Sequence, residues 1–235
     1  MTVDRRAELE ANLDAVRSRI AAAERSGGRE AGSVRLVVVT KTWPASDVRL
    51  LAGLGVTDVA ENRDQEARPK QAECADLGLR WHFVGQLQRN KARHVATYAD
   101  EVESVDRPEL ADALDHAVAE TGRGPLDVLL QVDLADPPDP RRGGVVPADL
   151  ALLAAHVAGC RSLMLRGLMA VAPLGEDPGA AFTRLAAVAA DLRRDHPEAT
   201  VLSAGMSHDL EQAVEAGATH VRVGTAVLGG RPALG

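Results

Sequence analysis

Residues 34–41 read VRLVVVTK, a β-branched run that ends on a lysine. A strand with one wet face alternates apolar and polar residues, whereas a nearly continuous apolar run suits a strand covered on both faces, as in a parallel sheet. Upstream, Leu9, Leu13, Val16 and Ile20 recur at helical spacing with charges between them, so a helix precedes this strand, and Ser26-Gly27-Gly28 ends it. Downstream the same alternation continues. Helical patterns fall at 45–52, 66–76, 91–98, 108–120, 148–158, 179–194 and 209–216. Strand-like runs fall at 58–60, 80–84, 101–105, 127–132, 164–168, 200–202 and 220–223. Short strands alternating with helices imply parallel strands joined by right-handed crossovers. Eight such units predict a closed (β/α)8 TIM-type barrel with an extra N-terminal helix, one α/β domain over residues 1–235. An open doubly wound sheet is the structural alternative.

Composition narrows the function. The 235 residues carry a net charge of -7, and no Lys/Arg stripe stands out, so a nucleic-acid partner is not expected. The N-terminus, MTVDRRAELEANLDAV, is charged and lacks the apolar core of a signal peptide. No stretch approaches the roughly 20 apolar residues of a membrane span, so a cytoplasmic protein is expected. Cys74 and Cys160 sit in unrelated contexts and predict no disulfide. The seven histidines show no metal-ligand spacing, and no metal is expected.

In such barrels the chemistry gathers at the C-terminal strand ends. Lys41, Glu61-Asn62, His82, Gly85, Gln131, Asp133, Met169, the segment 203–207, Arg222, Gly224 and Thr225 all fall there on the predicted strands. Each has a bland alternative. Lys41 is either a solvated lysine or an amine buried at a pocket floor, where burial frees the lone pair to attack an aldehyde. Trp43 either caps that pocket or is core. In HVRVGTAVLGG (220–230), Gly224 and Thr225 stand where a phosphate often binds such barrels, or mark only a turn. Ser207 in GMS joins that cup or merely caps the next helix. Arg222 shares a face with Gly224 and needs an acceptor, either an acid such as Glu61 or a ring nitrogen. Glu61 is equally placed to position Lys41. The Pro/Gly-rich loop 136–144, DPPDPRRGG, is the candidate mobile segment.

Six ordered motifs, VVVTKTWP, AENRDQE, WHFVGQLQRNK, LRGLMAV, LSAGMS and VRVGTAVLG, resemble the pyridoxal phosphate homeostasis proteins, single-domain relatives of the alanine racemase barrel. The resemblance runs from about Val34 to Gly230. It implies pyridoxal 5′-phosphate as cofactor, held as a Schiff base on Lys41. Asn62, His82 and Met169 would line the pocket. Ser203, Met206 and Ser207 would hold the phosphate with Gly224 and Thr225, and Arg222 would face the pyridine nitrogen. Three positions depart from the family pattern: Ala60 stands for a usual Gly, Ala204 for a larger residue, and Arg142, before Gly144, for a Lys.

An arginine at the pyridine nitrogen leaves the ring a poor electron sink, which disfavours transaminase or decarboxylase chemistry. Racemisation needs a second base, which the racemases take from a separate β domain that this sequence is not expected to contain. The expectation is therefore a monomeric, non-catalytic carrier that buffers pyridoxal phosphate and hands it to apo-enzymes, with indirect effects on amino-acid and keto-acid balance. The alternatives are a weak amino-acid racemase and a sugar-phosphate enzyme on the same barrel.

Overall fold

The computed structural model describes residues 4–138 and 142–230. Helix α1 (Arg5–Ser26) is followed by β1 (Arg35–Val39), α2 (Ala45–Gly53), β2 (Asp58–Glu61), α3 (Asp64–Glu73), β3 (Arg80–Phe83), α4 (Ala92–Val95) and β4 (Glu101–Val105). Then come α5 (Pro108–Thr121), β5 (Leu126–Gln131), α6 (Leu150–Ala158), β6 (Leu163–Met169), α7 (Pro178–Asp195), β7 (Val201–Ser203), α8 (Leu210–Glu215), β8 (His220–Val223) and α9 (Thr225–Leu228). The eight strands pair in chain order, and β8 returns in parallel to β1, so the barrel closes and leaves no open edge. The eight predicted strands are all present. The expected helix at 91–98 shrinks to α4 behind a 3-10 turn, because the Arg123 guanidinium takes the Ala96 and Ala99 carbonyls and turns the chain toward β4.

Side-chain alternation divides the barrel into two environments. Outward residues pack under the helices. Val102, Val128, Leu130, Leu168 and Leu202 meet Leu114, Leu153 and Phe182, while Val38, Val59, Val221 and Val223 meet Leu9, Leu13, Val48 and Leu210. Helix α1 starts on Asp4, whose side chain accepts the Arg6 amide, and buries the four apolar residues of its predicted stripe. Arg5 and Asn12 donate to the Leu228 and Val227 carbonyls, and Arg19 grips Glu211 with two bonds. The extra helix is thereby fastened across α8 and α9.

The inward face is ionic. At the N-terminal end, Arg35 meets Asp58, which links β1 to β2, while Arg80 meets Glu101 and Asp127, and Arg166 meets Asp127, which links β3 through β6 by charge. One layer higher, the His82 ring contacts Glu103 and Asp58, each at 3.0 Å. Ser203 donates to the other Glu103 oxygen at 2.6 Å and accepts from Arg222 at 2.7 Å. A second Arg222 nitrogen donates to the Ala170 carbonyl at 2.9 Å.

Burial alone would push the His82 charge off, but the bonds to Asp58, Glu101 and Glu103 outweigh it and raise its pKa well above the ordinary 6.5. Burial likewise opposes the Glu103 anion, yet His82, Arg222 and Ser203 bring its pKa down to about 2. Asp58 is also held at about 2, against its burial, by His82 and Thr57.

Removing one partner from a buried ion pair strands the other, at a cost of about 3–5 kcal/mol. We expect Glu103→Leu to lose stability of that order in urea denaturation. The depressed carboxyls contribute fully above their unfolded values of 4.5 and 3.8, and this is lost as pH falls toward 2. The raised His82 contributes fully below 6.5, and its share is lost as pH climbs through the folded value. Urea titrations across pH should show both limbs in the wild type. An acid limb equally steep in Glu103→Gln would assign it elsewhere.

Candidate functional site at the barrel mouth

Strand register assembles the C-terminal end. Val39 stands beside Ala60, Glu61 beside Phe83 and Val38 beside Val223. The Thr40 amide donates to Ala60, the Val84 amide to Glu61, and the Arg222 amide to Gly205. Lys41, Asn62, Gly85 and Gly224 therefore follow the ends of four neighbouring strands. Asn62 comes so near Gly85 that a β-carbon on that glycine would lie 2.1 Å from the Asn62 carbonyl oxygen. Here glycine serves close backbone approach rather than an unusual dihedral. A β-carbon on Gly224 would lie 3.2 Å from the Val39 carbonyl oxygen.

Lys41 is half-buried and begins the turn that leaves β1. Trp43 does not hang over the mouth: it packs on the cluster under α1, with the Arg5 guanidinium 4.5 Å over its ring, so it is core. Asn62 presents a buried side-chain oxygen with no hydrogen-bond partner among the described residues. On the β8 side of β1, the Ser207 hydroxyl accepts the Ala226 amide at 3.2 Å, joining the loop after β7 to the first turn of α9. Ser207 does not cap α8. Asp209 stands at that position, with its carboxylate on the Met206 amide. Thr225 is exposed at the start of α9, Met206 is exposed on the rim, and Met169 is buried at the end of β6.

Three expectations change. His82 does not offer its ring nitrogens to a pocket, because both are engaged with Glu103 and Asp58 inside the barrel. The Ser203 hydroxyl is spent between Glu103 and Arg222, one layer below Ser207. Glu61 neither pairs with Arg222 nor faces the mouth: it points outward to Thr40 and Lys70, and burial raises its pKa despite that ammonium. The acid beside Arg222 is Glu103, at 3.6 Å. Sequence reasoning missed it, although acids at positions i and i+2 of EVESV share one face of a strand and so signal a charged lumen.

Two clefts flank the mouth. One, of about 410 Å³, lies beside Asn62, Phe83, Gln86 and Lys91. The other, of about 490 Å³, lies between Arg142, Leu174 and Met206. Arg142 donates to the Val171 and Ala172 carbonyls and so ties its loop to the one after β6. Residues 139–141 of the expected mobile loop lie outside the described residues. No helix among the described residues is long and apolar enough to cross a membrane.

The chain is thus a closed parallel barrel with a lysine after the first strand and a hydroxyl-amide contact between the loops after the seventh and eighth. The family model "Alanine racemase, N-terminal domain" matches residues 11–232. A curated pyridoxal phosphate homeostasis protein of Mycobacterium leprae is 44% identical over 96% of this chain and 94% of its own length. One of Pseudomonas aeruginosa is 43% identical, with 94% of each chain covered. The solved structure of PipY from Synechococcus elongatus without PLP superposes with a TM-score of 0.84, at 39% identity over 94% of this chain and 100% of that one. The alanine racemase of Corynebacterium glutamicum shares the fold at a TM-score of 0.66 and 18% identity, over 95% of this chain and 62% of the racemase. The chain belongs to the family of pyridoxal phosphate homeostasis proteins, within the alanine racemase N-terminal domain group.

Gly85→Ala should drive the Asn62 backbone off its position. Overpacking of this kind costs about 1–3 kcal/mol. Calorimetry should show a lower Tm, and the Asn62 backbone resonances should shift. An unchanged Tm would mean that the strand ends are looser than their packing implies.

Proposed function

We propose that this chain binds pyridoxal 5′-phosphate at the barrel mouth, holds it as a Schiff base on Lys41, and buffers and donates it to apo-enzymes as a cytoplasmic, monomeric carrier. The observation that carries the reading is PipY solved with PLP bound, at 38% identity over 94% of this chain and a TM-score of 0.82. The names of the curated relatives support it.

The residues present fit such a group. The mouth offers an amine at Lys41, a hydroxyl at Ser207 already joined to the α9 amides, and a buried unpartnered oxygen on Asn62. Bound pyridoxal phosphate supplies an aldehyde that an amine captures reversibly. In this reading Ser207, Met206, Gly224 and Thr225 hold the phosphate end, while Asn62 and Met169 flank the ring. Arg222 forms the floor, and Ser203 and Ala170 fix its guanidinium from below. His82 and Ser203 then act through Arg222 rather than by contact. An arginine under the ring supplies no carboxylate to strengthen an electron sink. The one tyrosine, Tyr98, is buried in the apolar cluster under the helices, where burial raises its pKa. It is thus no second base at the mouth, which supports carriage over racemisation.

Absorbance spectra test the reading directly. After incubation with pyridoxal phosphate and desalting, wild type should be yellow and Lys41→Ala colourless. Borohydride should fix the cofactor to a Lys41 peptide. Loaded wild type should then activate an apo-transaminase, and should turn over no free amino acid. A colourless wild type would end the carrier reading, and Lys41-dependent racemisation would replace it with the enzyme.

A further inference from the structure

The segment before Lys41 and the segment after it are both tied to one buried residue on α3. We propose that Lys70 positions Lys41, by clamping the two peptide groups that flank it. This inference rests on Lys41 being the residue that holds the cofactor.

Lys70 is 5% exposed. An ammonium has three donors and no acceptor. Here the three reach Thr40 O at 2.9 Å, Glu61 Oε1 at 2.5 Å and Glu66 Oε1 at 2.9 Å. The Thr40 carbonyl belongs to the peptide group before Lys41. The Thr42 amide, which belongs to the peptide group after it, donates to the same Glu66 oxygen that Lys70 holds. Both peptide planes around the Lys41 α-carbon are thus anchored, one directly and one through a single shared oxygen. The Trp43 amide also donates to Thr40 O, at 3.1 Å, and closes a four-residue turn with Lys41 second and Thr42 third.

That turn needs an anchor. Thr42 has φ +70°, the value that the third residue of a type II turn adopts and that glycine normally supplies. A β-branched residue there is strained, and strain of this kind persists only where the surroundings overdetermine the backbone. Glu66 and Lys70 supply that constraint. The Thr40 hydroxyl, on Glu61 at 2.6 Å, ties the strand end to the same cluster. Sequence alone does not point here: Lys70 lies 29 positions from Lys41, inside a helix that reads as solvated. A merely structural buried ion pair would bond side chain to side chain. This one, beside its side-chain pairs with Glu61 and Glu66, also reaches the two amide groups that flank Lys41.

Two variants test the proposal. Glu66→Ala removes the Thr42 arm at a partly exposed site. The double variant Lys70→Met/Glu61→Gln removes the Thr40 arm without leaving a bare carboxylate in place of the pair. Four readouts are compared in each: hydrogen exchange of the Thr42 amide in the apo protein, formation of the yellow band with pyridoxal phosphate and with unphosphorylated pyridoxal, inhibition of that band by inorganic phosphate, and the pH at which the band reaches half its height. We expect faster Thr42 exchange and band formation slowed at least ~10-fold with both aldehydes, as small misplacements of a reacting group cost rate steeply. Phosphate inhibition should be unchanged, because the contact between Ser207 and Ala226 is built on the loop after β7 and on α9, to which, among the described residues, Lys70, Glu61 and Glu66 make none of their hydrogen bonds. The pH at which the band reaches half its height should also move in both variants. Wild-type rates with either variant would overturn the proposal, and so would a parallel loss of phosphate inhibition, which would mark general loosening. If the double variant fails to fold, Glu66→Ala decides. If wild type itself forms no band, the cofactor reading has failed. The Thr42 exchange then still reports on the clamp.

Discussion

Charge inside the barrel is the constraint on which the rest of the structure depends. Barrels of this kind are normally filled by branched aliphatic side chains. Here the inward positions of β2, β3, β4, β7 and β8 carry Asp58, His82, Glu103, Ser203 and Arg222, linked in one chain of hydrogen bonds. A slip of one residue in any of these strands would turn a charged group into the apolar layer under the helices and bring an aliphatic residue inward. Ions without partners in such surroundings are far costlier than misplaced methyl groups. The network therefore fixes register, and register fixes which residues reach the mouth. Lys41, Asn62 and Gly224 meet there because the strands beneath them have one permitted alignment.

The same network accounts for the character of the mouth. Arg222 is fixed by the Ser203 hydroxyl and the Ala170 carbonyl inside the barrel. The rim is built from exposed or half-buried groups, Met206, Thr225 and Lys41 among them. Among the described residues the tyrosine, Tyr98, lies under the helices, and the loops at the mouth carry charged and amide side chains, Gln86, Lys91 and Arg142 among them, beside glycine and hydroxyl groups.

Much of the fold was legible in the sequence because periodicity reports burial. VRLVVVT announces a strand covered on both faces, and Leu9, Leu13, Val16 and Ile20 announce the face that α1 buries. The residues that stand at the C-terminal strand ends were legible too, since that follows from the direction of the strands. What escaped was the partner of each polar group. His82 and Ser203 were expected at the pocket wall, yet they lie one layer deeper, and a shift of one layer leaves no trace in a linear pattern. Glu61 was weighed against Arg222, but side-chain parity sends them to opposite faces: Ala60 is inward, so Glu61 is outward. Lys70 and Glu66 were invisible for a different reason. Their contacts are with backbone groups of another segment, and backbone groups carry no sequence signal.

The fastening of α1 across the last helix has a consequence for how the molecule comes into being. Arg5 bonds the Leu228 carbonyl and also Asp47 in α2, the helix that follows the Lys41 turn. Strand β1 has β8 as one of its two neighbours. Contacts between such distant parts of a chain form late, after the intervening segments have folded. On a ribosome, the first strand waits with one edge bare until nearly all of the chain has emerged. The lysine and the hydroxyl-amide cup belong to opposite ends of that wait. A nascent or truncated chain thus holds the Lys41 turn without the loops after β7 and β8, and the two come together in the same step as closure of the barrel.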